Sequence, residues 1–185
     1  TGFEIRGLVR FFDTNVLYRE PVVVKDVKWE RPILVKDFEF AKRHAQATVK
    51  PVLTGPFTLA KLSRDEHYHN TEKLLSALAE ALNQELRSLE RAGATVLHVN
   101  EPAFLQFPVE KAAFQSAMKR LFNGVKAKTV LYFYFGNVEP VYTALLDLNV
   151  TALGFDFSYT PNAASLVARD AYTKEFVAGL IDARN

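Results

Sequence analysis

The chain has 185 residues, 49% of them hydrophobic and 24% charged, with a formal net charge of +2, a composition suited to a globular protein that buries a real core. It contains no cysteine, so it has no disulfide framework and no thiolate for zinc, an iron–sulfur cluster or covalent catalysis. Charge this small and this evenly mixed argues against nucleic acid or a membrane surface as partner, and no apolar run approaches the roughly 18 residues of a membrane helix. The start "TGFEIRGLVR" lacks the apolar stretch of a signal peptide, and a cytoplasmic location is expected.

In chain order, the first 35 residues stand apart. The stretch "REPVVVKDVKWERPILV" holds two short extended runs, bracketed by Pro21 and Pro32, and predicts a hairpin or edge excursion. After it, helical segments alternate with short β-branched runs. A helix is expected over Lys36 to Ala47, followed by a strand in "VKPVLTG" from Val49. The next segment, "NTEKLLSALAEALNQELRSLERAG", is the clearest helix: Leu75, Leu78, Leu82, Leu86 and Leu89 recur every three or four residues, with Leu82 at the centre of the stripe. Asn70 is suited to cap its start and Gly93 its end. Then come a strand in "ATVLHVNEP" from Ala94, a helix over Val109 to Phe122, and a strand in "TVLYFYFGN" from Thr129. A helix over Val138 to Leu148 follows, with Asn137 as N-cap and Pro140 in the first turn. The pattern closes with a strand in "TALGFDFS" from Thr151, a helix over Ala163 to Ala171 and a strand in "FVAGLIDARN" from Phe176. Such alternation predicts βα units and a parallel sheet. No repeat, linker or low-complexity tract marks a boundary, so residues 1–185 read as a single domain.

Polar residues collect where the strands end: Thr54, then Asn100 and Glu101, Asn137, Asp156, and Asp182 with Arg184 and Asn185. In parallel α/β sheets and barrels ligands bind at this end, because loops and helix N-termini converge there. The same residue types also serve as caps and turn formers, the stronger reading for Asn137. Glu101 follows an apolar strand, and Pro102 fixes the turn after it. If it faces the rim, it either pairs with Arg184 or accepts backbone amides from a neighbouring turn, since an isolated buried carboxylate would take up a proton. Asp156, between Phe155 and Phe157, points opposite to both. His67 and His69 in "EHYHN" read as a solvated helix entrance rather than a metal site.

Four segments, "LVRFFDTNVLYREPVV", "KPVLTGPFTLAKLS", "AGATVLHVNEPAF" and "GLIDARN", together resemble the cobalamin-independent methionine synthase family, in this order and over nearly the whole chain. The resemblance implies two (β/α)8 barrels in the family: an N-terminal one without metal, which "FDTN" and "DARN" resemble more, and a C-terminal one that holds zinc, homocysteine and folate. It also implies methyl transfer from a 5-methyltetrahydrofolate polyglutamate to homocysteine, in methionine biosynthesis.

Set against the catalytic barrel of that family, this chain keeps Glu101 of the substrate motif but departs at other functional positions. Tyr132 and Tyr134 stand where the family has His-x-Cys, and neither is a normal zinc ligand. Asp156 takes the place of a zinc-binding glutamate, Asn100 that of the aspartate that holds the substrate amine, and Leu62 that of the folate-stacking tryptophan. The single tryptophan, Trp29, lies elsewhere. The resemblance therefore implies no catalytic residue and no metal in this chain, with zinc on a separate catalytic barrel. Asn100, Glu101, Asp156, Asp182 and Arg184 remain the candidate substrate-binding residues. A complete barrel takes about 250 residues, so the expected fold is TIM-barrel type, an incomplete barrel of about five parallel strands after an N-terminal hairpin. The chain reads as part of a longer or split protein, its partners being a zinc-bearing barrel, the missing barrel segments or a second copy. The alternatives are a non-enzymatic partner subunit of a catalytic barrel, and a metal-free lyase or decarboxylase using Glu101 and Asp156 as acid and base.

Overall fold

The computed structural model describes residues 1–12, 14–169 and 172–181. Two sheets form. The smaller joins β1 (Phe3–Arg10), β2 (Leu17–Val23) and the short β4 (Arg64–Asp65), in the order β1-β2-β4. The larger is all parallel, in the order β3 (Val52–Thr54), β5 (Val96–Asn100), β6 (Lys128–Phe133), β7 (Ala152–Asp156) and β8 (Glu175–Gly179). The five expected strands are these five. They form an open run of βα units of the TIM-barrel type.

The N-terminal excursion is a hairpin, but it forms earlier than the prolines suggest. The antiparallel partners are Phe3–Arg10 and Leu17–Val23, and Pro21 lies inside the second strand, opposite Ile5, where the register shifts. A residue without an N–H is tolerated there because the ladder is already interrupted. Residues 24–34 form no helix or strand.

The helices are α1 (Val35–His44), α2 (Pro56–Leu62), α3 (Thr71–Arg91), α4 (Ala103–Gln106), α5 (Lys111–Leu121), α6 (Tyr142–Leu146) and α7 (Ala163–Arg169). The segment expected as one helix over Val109 to Phe122 begins as a 3-10 turn, Pro108–Glu110, before α5. That over Val138 to Leu148 is a 3-10 turn, Glu139–Val141, and the five-residue α6. Pro140 lies in this first turn, but the N-cap is Val138, one residue after the expected Asn137, whose Oδ1 instead accepts the Glu139 amide at 2.9 Å in a side-chain turn. Helix α2, unread in the sequence, starts at a Gly-Pro step too short to show a period. The last two residues of the helix expected over Ala163 to Ala171 lie outside the described residues.

Helix α3 follows its sequence closely: Asn70 Oδ1 accepts the Lys73 amide at 2.9 Å, and Gly93, at φ +92°, takes the left-handed turn after the C-cap. Its buried face is wider than the leucine stripe, taking in Leu74, Ala79, Asn83, Glu85 and Ser88, while Leu82 is only partly buried. The centre of the stripe is therefore not its most buried point. Leu86, fully buried, is expected to cost about 2–5 kcal/mol when cut to alanine, and Leu82→Ala less. Glu80→Ala, on the exposed face, should stay within about 0.5 kcal/mol. Urea midpoints measure all three. Equal midpoints for Leu86→Ala and Glu80→Ala would mean the helix buries another face.

The five-stranded sheet has two unlike faces, as strand alternation requires. Leu53, Leu97, Val99, Leu131, Phe133, Leu153 and Phe155 form the core with the helices. Within that core Phe104 and Phe114 stack at 3.7 Å between ring centroids, and Phe57 meets both edge-on. The intervening residues, Val52, Thr54, His98, Asn100, Tyr132, Gly154, Asp156 and Gly179, share the opposite face. None of the described helices is long and apolar enough to cross a membrane.

Candidate functional site

At the end of β5 the chain sends two neighbouring polar residues in opposite directions. Glu101 turns toward α2 and is fully buried. Its Oε1 accepts the Phe57 amide at 3.0 Å, and its Oε2 accepts the Thr58 amide and the Thr58 hydroxyl, each at 2.7 Å. Thr58 Oγ1 in turn accepts the Ala103 amide at 3.2 Å. The carboxylate thus supplies acceptors for the first turn of α2, whose Gly55 N-cap has no side chain to do so. Gly55 is also the only residue type that fits, because a Cβ there would overlap the Glu101 carboxylate. Burial pushes the Glu101 carboxyl up to about 7, while the bonds from Thr58 and Phe57 pull it down. Of the two arrangements expected for Glu101, backbone amides are found. The other partner, Arg184, lies outside the described residues, as does Asp182.

Asn100 lies on the face turned away from the helices. There His98 Nε2 contacts Asn100 Oδ1 at 2.9 Å. The imidazole is buried and its Nδ1 has no hydrogen-bond partner. Burial, then the charge of Lys50, draws His98 down to about 4, against the raising effect of its bond to Asn100. The ring is therefore neutral at physiological pH, and Nε2 carries the proton that it donates to Asn100.

Tyr132 and Tyr134 continue this face. The Tyr132 ring lies over Gly154 and its hydroxyl over Gly179, so a Cβ at either glycine would strike it. His98 flanks it at 5.5 Å and Tyr134 at 6.1 Å between ring centroids. Burial, and then Asp156, raise the Tyr132 phenol; burial, followed by Glu101 and Tyr132, raises that of Tyr134. Both phenols stay protonated at neutral pH. Asp156, on this face as the alternation predicted, accepts the Ser158 amide at 2.8 Å and the Ser158 hydroxyl at 2.5 Å on one oxygen. Beyond the sheet end, Phe135 packs on Tyr134, Tyr159 and on Phe11 and Phe12 of the hairpin. Phe12 and Phe135 both have positive φ, which is strained for a bulky residue.

A second buried carboxylate escaped the sequence reading. Glu85, fully buried on α3, accepts the Trp29 indole N–H at 2.8 Å, the Ile33 amide at 3.0 Å and the Leu34 amide at 2.8 Å. The signal was present in the helical period: position 85 is three residues from Leu82 and four from Leu89, on the apolar side. His67, by contrast, pairs with Asp26 at 2.8 Å on the surface, in keeping with a solvated helix entrance.

This chain matches the family model described as the N-terminal domain of the cobalamin-independent synthase, over residues 4–185. The chain belongs to the cobalamin-independent methionine synthase family. Methionine synthases of Saccharolobus solfataricus, at 32% identity, and Saccharolobus islandicus, at 35%, each align with all of it and with 56% of their own length. That of Sulfurisphaera tokodaii, at 32%, aligns over 54% of its length. The chain thus spans little more than half of the curated family members it matches. A B12-independent methionine synthase structure from a Shewanella species, in complex with selenomethionine, superposes on the whole chain with a TM-score of 0.86 at 24% identity, covering 60% of that structure. A Methanosarcina mazei methyltransferase overlaps 68% of this chain and 41% of its own, with a TM-score of 0.55 at 19% identity. These two likenesses bear on the fold alone.

Proposed function

We propose that this chain is the scaffold portion of a cobalamin-independent methionine synthase. Methyl transfer from a 5-methyltetrahydrofolate polyglutamate to homocysteine then takes place on a zinc-bearing barrel outside these residues. The observation that carries this reading is the side-chain set at the ends of β6 and β7. Zinc selects thiolate, imidazole or carboxylate. Here Tyr132 fills the glycine-floored space as a protonated phenol, Tyr134 stands beside it, and the Asp156 carboxylate is bonded to Ser158. Among the described residues no three His, Cys, Asp or Glu side chains group as a metal site would need. These residues do not fit zinc, and no step of the reaction is assigned to them. A lyase using Glu101 with Asp156 is disfavoured, because Glu101 is sealed beneath α2 with both oxygens engaged.

The reading places the protein in the cytoplasm, with a zinc-bearing barrel or the remaining barrel segments as partner. The same residues fit a separate subunit that stabilises a catalytic barrel. Metal analysis after dialysis, followed by mixing with a family zinc barrel, tests the proposal. Zinc well below about one per chain is expected, with synthase activity only in the mixture. One tightly held zinc per chain, or activity of this chain alone, would overturn it.

A further inference from the structure

The face turned away from the helices holds a hydrogen-bonding row that the buried carboxylates leave unused. Asn100 accepts the His98 N–H on its carbonyl oxygen. That bond fixes which end of the amide is spoken for: the oxygen is engaged, and the NH2 makes no hydrogen bond among the described residues. Tyr132 and Tyr134, whose rings are 6.1 Å apart, likewise leave their hydroxyls without a bond among the described residues. Three donors and two aromatic surfaces thus share one partly exposed stretch of sheet. The field there is acidic, since Asp156 lies on this face and acts on the Tyr132 phenol.

We propose that Asn100, held in one orientation by His98, forms with Tyr132 and Tyr134 a site for a flat, neutral carbonyl compound, an aromatic carboxamide in the simplest case. The carbonyl oxygen accepts from the Asn100 NH2, and the ring lies against the tyrosines. A cationic amine is drawn toward Asp156 but finds only a donor at Asn100, so it gains no bond there. A carboxylate satisfies the donor but is repelled by Asp156. His98 is a positioning residue: without its N–H the Asn100 amide is free to turn over and present its oxygen. The site does not depend on where methyl transfer occurs.

The test follows the side-chain amide signals of Asn100 by NMR in this chain, assigned through their loss in Asn100→Asp. Benzamide, benzoate and benzylamine are the probes. Benzamide is expected to shift the Asn100 signals saturably, and benzoate and benzylamine each about tenfold more weakly. His98→Gln, which keeps an N–H donor, should retain this order, and His98→Leu should erase it. In Asn100→Asp, read on the backbone amides of residues 99–101, benzylamine should overtake benzamide. If His98→Leu fails to fold, the Gln variant and the Asn100→Asp reversal still decide. Equal shifts from benzylamine and benzamide, no saturable shift from any probe, or an unchanged order in Asn100→Asp would each overturn the proposal.

Discussion

Cutting Glu101 to alanine is expected to cost the fold about 3 kcal/mol or more, since each stranded buried donor costs about 1–3 kcal/mol. Three donors lose their acceptor at once: the amides of Phe57 and Thr58 and the Thr58 hydroxyl. Gln is a poor substitute, because its NH2 would face an N–H. Urea denaturation measures the loss, and a change below about 1 kcal/mol would show that α2 does not need this carboxylate.

The same residue sets a pH dependence whose sign is fixed by its raised ionisation. With the folded group at about 7 and the unfolded group near the ordinary carboxylate value of about 4.3, the folded state holds the extra proton between those values. This contribution to stability is complete below about pH 4 and is lost as pH rises through 7. In Glu101→Gln, though weaker overall, that fall between pH 5 and 7.5 should flatten. An unchanged slope would assign it to other groups.

Glu85→Ala is expected to have an effect of similar size, about 3 kcal/mol or more, for the same reason. It frees the Trp29 indole and the Ile33 and Leu34 amides at the entrance to α1. Because Trp29 is the only tryptophan, its fluorescence reports this one contact. Emission should move to the red in the folded variant, before any denaturant is added, as the 29–34 segment leaves α3. A variant with native emission and near-native stability would mean that the segment is held by packing alone.

The two carboxylates show where sequence reading ends. Both were visible as charges within or beside apolar runs, but what each binds is far away in sequence: Glu101 meets residues 57 and 58, and Glu85 meets residues 29, 33 and 34. Local pattern carries no information on such partners. Resemblance drew attention to Asn100 and Glu101 as a pair, whereas the fold separates them, one beneath a helix and one on the opposite face of the sheet. Strand alternation is enough to place Asn100 with Tyr132 and Asp156, and it gave the correct face for Asp156.

What the sequence determined by itself was the place of five strands along the chain, the long capped helix α3, and the lack of thiolate chemistry, because period, capping and composition are properties of neighbouring residues. Only the tertiary structure decided the rest. It set the true span of the hairpin, since strand pairing depends on which partner supplies the hydrogen bonds. It showed Leu82 half-buried at the centre of its own stripe, because the neighbouring α5 and sheet, not the helix period, fix what is covered. It laid Tyr132 across Gly154 and Gly179, two glycines 22 and 47 residues away whose missing side chains have meaning only once the strands lie side by side.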